Sequence, residues 1–195
     1  MRRSEACCGQ YPGVPKRDQD WVALLRGINL ARNKRIAMAD LRAAYEAAGC
    51  GDVRTYIASG NVVFTSETGA RGRAALAQKL EEAVEEACGV SAWVALRTAA
   101  ELAAVVGRHP FGDDTSSTYV TFLREKPSDA GVRLLESLDV EPDLVAVDGT
   151  EVYVRYPNGL ANARIGGALL DRTLGVQGTN RNWRTVARLA EMARS

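Results

Sequence analysis

The sequence predicts an α+β fold made of two ferredoxin-like (βαββα) subdomains in tandem, followed by a C-terminal helix. Three observations predict it. Short apolar runs typical of strands alternate with apolar residues at helical spacing, the order β-α-β-β-α occurs in both halves, and each half contains one hairpin signal. We expect a flexible extension over residues 1–19, a first subdomain over 20–98 and a second over 99–195, with the two subdomains forming one compact unit.

The first subdomain is predicted from a continuous series of strand and helix signals. A buried strand opens the stretch DWVALLRGINL (20–30), which becomes polar at Arg26. Apolar residues from Met38 to Ala48 then recur at helical spacing, and Gly49 ends that helix. A hairpin follows in VRTYIASGNVVFTS (53–66), turned at Ser59-Gly60-Asn61. A helix ending at Gly89 and the strand SAWVALR (91–97) complete the order β-α-β-β-α-β.

The second subdomain is predicted from similar signals. A capping-box pattern at Thr98 and Glu101 starts a short helix, and the stretch STYVTFLRE (117–125) predicts a strand. A helix begins near Ser128, and a second hairpin turns at Asp148-Gly149. The stretch PNGLANARIGGALLDRTLG (157–175) predicts a turn and a helix weakened in its middle by two glycines, and a last helix begins near residue 181. The order is therefore β-α-β-β-α-α.

Composition excludes several classes of protein. The net charge is +1, of which the extension carries +2, so the remainder lacks the basic surplus of a dedicated nucleic-acid binder. Because no apolar run reaches about 20 residues, we expect no membrane partner, and the N-terminus lacks the apolar region of a secretory signal. Cysteines 7, 8, 50 and 88 contain no Cys-x-x-Cys pair, which predicts reduced thiols in the cytoplasm, no metal site and no cofactor.

Two polar segments are expected to meet at one edge of the first sheet. In a ferredoxin-like sheet the first strand lies beside the third and runs antiparallel to it. The end of the first strand therefore approaches the turn before the third. This places Arg26, Gly27 and Asn29 near Ser59-Gly60-Asn61. Each segment taken alone also has a structural explanation, since Gly and Asn tolerate positive φ in turns.

Three stretches together carry a family resemblance: VALLRGIN with SGNVVF in the first half, YPNGLANARIG, and GTNRNWRTVARLAEMA near the end. They resemble the bacterial domain-of-unknown-function family 1697, from about Trp21 to Met192. The resemblance implies paired ferredoxin-like subdomains and no established activity. The family often has two glycines after its Arg-Gly-Ile-Asn, where this chain has Ala31 and Arg32. If that loop wraps a phosphate, Arg32 replaces backbone contacts with side-chain ones or the site is altered.

The candidate ligand-binding set joins these motifs. Arg181 and Asn182 precede the last helix, where free N–H groups and the helix dipole favour anions, while the spacing of Trp183 and Val186 favours core packing. The full set supplies guanidinium, amide, hydroxyl and backbone groups from Arg26, Gly27, Asn29, Ser59, Gly60, Asn61, Arg181 and Asn182.

Three functions remain open for this set. The first is a binding module for an anionic ligand, such as a nucleotide or a nucleic-acid strand. The second is a structural or interaction protein whose polar motifs lock the two subdomains together. The third is an enzyme acting on a phosphorylated or carboxylated metabolite. An enzyme needs a titratable group, for which Tyr56, Tyr153 and Tyr156 are possible, since the single histidine, His109, and the Asp113-Asp114 pair are typical of loops.

Overall fold

The computed structural model describes residues 18–29 and 35–194. Its strands and α-helices follow one another in the order β1 (Gln19–Leu25), α1 (Met38–Ala47), β2 (Gly51–Tyr56), β3 (Asn61–Ser66), α2 (Arg73–Cys88), β4 (Val94–Thr98), α3 (Ala99–Gly107), β5 (Thr118–Leu123), α4 (Asp129–Glu136), β6 (Leu144–Asp148), β7 (Glu151–Arg155), α5 (Gly167–Leu174), β8 (Gly178–Asn182) and α6 (Trp183–Met192). Short 3-10 helices precede α2 (Ala70–Gly72) and α5 (Leu160–Asn162).

The strands form two four-stranded sheets, ordered β2-β3-β1-β4 and β6-β7-β5-β8. All pairs of neighbouring strands are antiparallel. Each half of the chain thus has the succession βαββαβ of the ferredoxin-like pattern. This confirms the predicted α+β fold of two tandem subdomains. β1 begins one residue before the predicted boundary, and residues 1–17 of the predicted extension lie outside the described part of the chain.

One strand of the second sheet contradicts the predicted order. GTNRN is not the approach to a helix but the strand β8, which pairs with β5 from Leu123↔Gly178 to Tyr119↔Asn182. Sequence reasoning missed it because its residues are polar, and the two inward positions, Thr179 and Arg181, are buried through hydrogen bonds. α6 starts at Trp183, in agreement with the helical spacing, and Asn182 is its N-cap, whereas Arg181 belongs to the strand β8.

The helix ends follow ordinary capping chemistry, with one correction. Thr98 and Glu101 form the predicted capping box of α3, and the Ser128 hydroxyl accepts the Gly131 N–H at the start of α4. α5 begins at Gly167, so the two glycines stand before and at its first position and do not weaken its middle.

Three apolar clusters fill the space around the sheets. Trp21, Ala23 and Leu25 of β1 face α1 and α2, whereas Val22 and Leu24 point the other way. That opposite face meets the inner face of the second sheet, together with α3 and α6, in a central core. The third cluster lies between the second sheet and helices α4 and α5. Because a central core joins both sheets, residues at its edges are placed to connect the subdomains.

Candidate functional site

The end of β1 and the turn before β3 meet as predicted. Leu24 is paired with Asn61, and the Leu25 N–H donates to the Gly60 carbonyl at 2.8 Å. Arg26 and Gly27 follow directly, beside the turn formed by residues 57–60. The antiparallel neighbourhood of the first and third strands therefore produces the juxtaposition inferred from topology.

Arg181 of β8 reaches into this edge from the second sheet. Its side chain is 7% exposed, and its Nε donates to Asn61 Oδ1 at 2.5 Å. Nη2 donates to the carbonyls of Leu25 at 2.8 Å, Ser59 at 3.0 Å and Gly60 at 3.3 Å. Nη1 donates to Thr179 Oγ1 and to the Asn180 carbonyl, each at 2.8 Å. Six protein acceptors thus surround the five N–H groups of one guanidinium.

We call this set the Arg181 cluster: Arg181 with Leu25, Ser59, Gly60, Asn61 and Thr179. The Asn61 amide is fully buried, and its Nδ2 donates to the Tyr56 carbonyl at 3.0 Å and to Ser59 Oγ at 2.9 Å. The Thr179 hydroxyl donates to the Leu25 carbonyl at 3.2 Å. The cluster therefore joins β8 of the second sheet to β1 and β3 of the first through charged and neutral hydrogen bonds.

Arg26 makes a second connection beside the cluster. Its Nη2 forms an ion pair with Asp171 Oδ2 of α5 at 2.6 Å, and its Nη1 donates to the Gly178 carbonyl. The other Asp171 oxygen, Oδ1, accepts the Gly178 N–H at 3.0 Å. One carboxylate therefore fixes both the Arg26 side chain and the first residue of β8.

Asn29 and Asn182 have separate, local contacts. The Asn29 Nδ2 donates to the Ala58 carbonyl at 2.7 Å and the Ile36 carbonyl at 3.1 Å, while its Oδ1 accepts the Ile36 N–H at 2.8 Å. Asn182 caps α6, its Oδ1 accepting the Thr185 N–H at 2.8 Å. Neither joins the Arg181 cluster, and positions 31 and 32, which depart from the expected glycines, lie outside the described residues.

The backbone conformation and the surroundings of position 60 explain why the turn has a glycine there. The φ of Gly60 is +76°, and a Cβ at this position would lie 2.7 Å from Ile28 Cδ1 and 2.9 Å from Leu25 Cβ. Both the backbone conformation and the close approach favour glycine. Gly27 also has a positive φ, +74°, but open space surrounds the position of a Cβ there.

A family model described as "Protein of unknown function (DUF1697)" matches residues 19–153, more than half of the chain. The chain belongs to the DUF1697 family. This confirms the resemblance seen in the motifs, and the matched range contains Arg26 and Asn61 but ends before Arg181.

The conserved bacterial protein SP0830 from Streptococcus pneumoniae is similar to this DUF1697 chain in structure. The two are 20% identical, with a TM-score of 0.72, and the alignment covers 91% of this chain and 99% of that one. At this identity the similarity shows a shared fold alone. The comparison with curated proteins finds no match.

A buried ion pair also joins the subdomains of this DUF1697 protein, and the sequence pattern did not predict it. Arg97 Nε donates to Glu151 Oε1 at 2.6 Å, with the two side chains 5% and 8% exposed. The Arg97 guanidinium also donates to the Leu96 carbonyl at 2.9 Å and to Thr150 Oγ1 at 3.1 Å. The available signal was a charged residue ending the apolar strand SAWVALR, which indicates a paired buried charge.

Two of the tyrosines considered for an enzymatic role, Tyr153 and Tyr156, stay protonated at neutral pH, so they cannot accept a proton there as general bases. Burial raises the pKa of Tyr153 to about 12, and its hydroxyl donates to the Val105 carbonyl at 3.1 Å. Burial likewise raises the pKa of Tyr156 to about 12. Burial lowers the pKa of the Arg181 guanidinium to about 10, so it is charged at neutral pH. The cluster thus offers fixed positive charge and hydrogen-bond donors.

His109 and Trp183 pack against other parts of the protein. His109 lies in a loop, with its ring centroid 4.5 Å from that of Trp183, and Trp183 packs against the central core. Among residues 18–29 and 35–194, no group of three or more His, Cys, Asp or Glu side chains could hold a metal ion. Over the same residues, no helix is long and apolar enough to cross a membrane.

Proposed function

We propose that this DUF1697 chain is an interaction protein whose family motifs work as an internal lock. The lock holds the two subdomains as one rigid body that presents a fixed outer surface to a partner. The observation that carries this proposal is the Arg181 guanidinium, which is 7% exposed and surrounded by six acceptors from the protein itself.

The energetics of burial support a lock at this place. A charged side chain removed from water needs paired groups, and Arg181 finds them on the Asn61 side chain and three first-subdomain carbonyls. Arg26 and Asp171 add an ion pair across the same boundary. Contacts of this kind favour one arrangement of the subdomains, because any relative displacement leaves buried polar groups unpaired.

The ligand-binding alternative uses the same residues differently. An anion at Arg26, Asn61 and Arg181 would have to displace the protein acceptors that occupy their donors. The enzyme alternative cannot use Tyr153 or Tyr156 as a general base at neutral pH, because burial raises the pKa of each to about 12. Both considerations favour the lock for the motif residues. We also propose that the protein is cytoplasmic and that its first subdomain ends at Thr98.

Hydrogen exchange tests the lock directly. Under moderate urea, amides of β3 in the first sheet and β7 in the second should exchange with the same free energy of opening, because the subdomains unfold together. In Arg181→Ala we expect the two values to separate. If β3 and β7 already open independently in the unsubstituted protein, the proposed lock is wrong.

A thermal-shift screen with nucleotides, phosphorylated metabolites and short RNA addresses the ligand alternative. Under the lock, Arg181→Ala lowers the melting temperature whether or not a ligand is present. A ligand whose stabilising effect depends on Arg181 would instead place binding at the motif residues.

A further inference from the structure

A groove of about 570 Å³ lies between the subdomains, and neither Arg26 nor Arg181 lines it. One wall comes from the 3-10 helix before α2, from α2 and from β4, and the other from the end of β5 and the turn before β7. This volume lies within the range of about 300–1,000 Å³ usual for small-molecule sites. Four arginines and one tryptophan line the groove: Arg71, Arg73, Arg97, Arg124 and Trp93.

Two arginines in the groove have no ionic partner in the described part of the chain. Arg73 is paired with Glu101 at 2.5 Å and Arg97 with Glu151 at 2.6 Å, so the protein already neutralises those charges. Arg71 and Arg124 are exposed and form no ion pair there. Their guanidinium groups therefore remain available to an anion entering the groove.

The acidic residue of the groove, Glu81, offsets one of the two free positive charges of Arg71 and Arg124, so a surplus of one positive charge remains. Glu81 of α2 directs its Oε1 to the Val94 N–H at 2.9 Å, at the start of the edge strand β4. An adjoining hollow of about 360 Å³ shares Arg73 and Arg97 and adds Arg108 and Lys126, together with the carboxylates of Glu101, Asp148 and Glu151. Because these carboxylates are paired with Arg73, Arg108 and Arg97, the exposed Lys126 supplies the one unpaired charge of this hollow among the described residues.

The indole ring of Trp93 lines the same groove as the unpaired Arg71 and Arg124. Trp93 is half-buried, and the Cζ of Arg124 lies 5.9 Å from its ring centroid, near the outer limit of a cation–π contact. Because Arg124 is exposed and loosely held at this distance, a flat ring can take its place over the indole while the guanidinium turns to a phosphate. An indole face next to guanidinium groups is the chemistry that recognises a nucleobase and its phosphate.

We infer that this groove binds a free nucleotide, with the base stacked on Trp93 and the phosphate held by Arg71 and Arg124. A free nucleotide fits better than a long strand, because the whole chain has a net charge of only +1. This inference goes beyond the proposed lock and uses none of the residues of the Arg181 cluster.

Calorimetric titration of the full chain with AMP, inorganic pyrophosphate and a single-stranded hexanucleotide tests the inference. We expect AMP to bind, and Trp93→Leu to weaken it by about tenfold while leaving pyrophosphate binding unchanged. Trp93→Phe, which keeps a stacking face, should restore most of the affinity. Arg124→Ala should weaken both AMP and pyrophosphate, whereas Arg172→Ala, an exposed arginine of α5, should change neither.

Three results would overturn the assignment. The first is no AMP binding, the second is AMP binding no more tightly than pyrophosphate or insensitive to Trp93→Leu, and the third is a hexanucleotide binding at least about tenfold more tightly than AMP. Arg124→Ala must keep the melting temperature of the unsubstituted protein, because its exposed side chain makes no hydrogen bond in the described structure. The lock proposal fails on a different result, an Arg181→Ala variant as stable as the unsubstituted protein, so failure of the lock and failure of the groove can be told apart.

Discussion

Replacing Arg181 by alanine gives the sharpest test of the Arg181 cluster. Three acceptors lose the donor that Arg181 supplies: Asn61 Oδ1, whose residue is fully buried, and the Ser59 and Asn180 carbonyls, whose residues are half-buried. The Leu25 and Gly60 carbonyls each keep another donor, from the Thr179 hydroxyl and the Leu25 N–H respectively. The Thr179 hydroxyl also keeps its hydrogen bond to the Leu25 carbonyl, so the main loss falls on the buried Asn61 Oδ1.

The magnitude follows from these three acceptors. A buried polar group left without a partner costs about 1–3 kcal/mol, which applies in full to Asn61 Oδ1, whereas the half-buried Ser59 and Asn180 carbonyls add less because water can reach them. The variant no longer buries a charge, and water entering the space left by the side chain can bind some acceptors, so part of this loss is offset. We expect the free energy of unfolding to fall by about 3 kcal/mol. The free energy of unfolding of Arg181→Lys should lie between those of the unsubstituted protein and of Arg181→Ala, because one ammonium group cannot reach the acceptors on both sides of the guanidinium.

Urea unfolding followed by circular dichroism measures this quantity from the midpoint and the slope of the transition. Arg184→Ala is the matched control: it removes an exposed arginine three positions further along the chain, in the first turn of α6, and should change the free energy by less than about 0.5 kcal/mol. A loss in Arg181→Ala below about 1 kcal/mol, or one no larger than in the control, would refute the reasoning.

Three further outcomes check the energetics elsewhere. Arg97→Ala should reduce the free energy of unfolding by about 3–5 kcal/mol, because it leaves Glu151 buried without its cation, whereas Arg108→Ala, which breaks an exposed pair with Asp148, should cost less than about 1 kcal/mol. Equal losses in the free energy of unfolding of the two variants, measured by urea unfolding, would contradict this expectation. Gly60→Ala should cost about 3 kcal/mol and Gly175→Ala about 1 kcal/mol, since both have positive φ but only Gly60 is crowded; the idea fails if the order of melting temperatures is reversed. Burial alone would raise the pKa of Glu101, but the Arg73 side chain and the Thr98 N–H outweigh it and lower the pKa. The stability from Glu101 is therefore complete above its ordinary pKa of 4.5 and is lost as the pH falls below it. The advantage of the unsubstituted protein over Glu101→Gln should disappear towards about pH 3, and an advantage that persists there would count against the Arg73 contact.

The sequence predicted those parts of the site that local topology determines. Arg26 and Asn61 could be brought together from chain order alone, because strand one of a ferredoxin-like sheet neighbours strand three. The partner of Arg181 could not be predicted in the same way. β8 has no apolar alternation that would reveal a strand, and its pairing with β5 spans a long stretch of chain.

The pairing of Arg97 with Glu151 was beyond prediction for a related reason. Each residue lies at the end of its own strand, and the two are 54 positions apart on different sheets. Their meeting depends on how the two sheets face each other across the central core. Hydrophobic periodicity determines which face of a sheet is buried, but it contains little information about which charged residues of two buried faces become neighbours.

The long separations within the Arg181 cluster also bear on how the chain folds. Arg181 contacts residues that precede it by between 120 and 156 positions. Contacts between residues so far apart in the sequence form only after both sheets have come together. Closing a long loop costs entropy before any contact compensates it. The cluster therefore forms late, and its main kinetic effect is to slow the opening of the finished fold rather than to speed its formation.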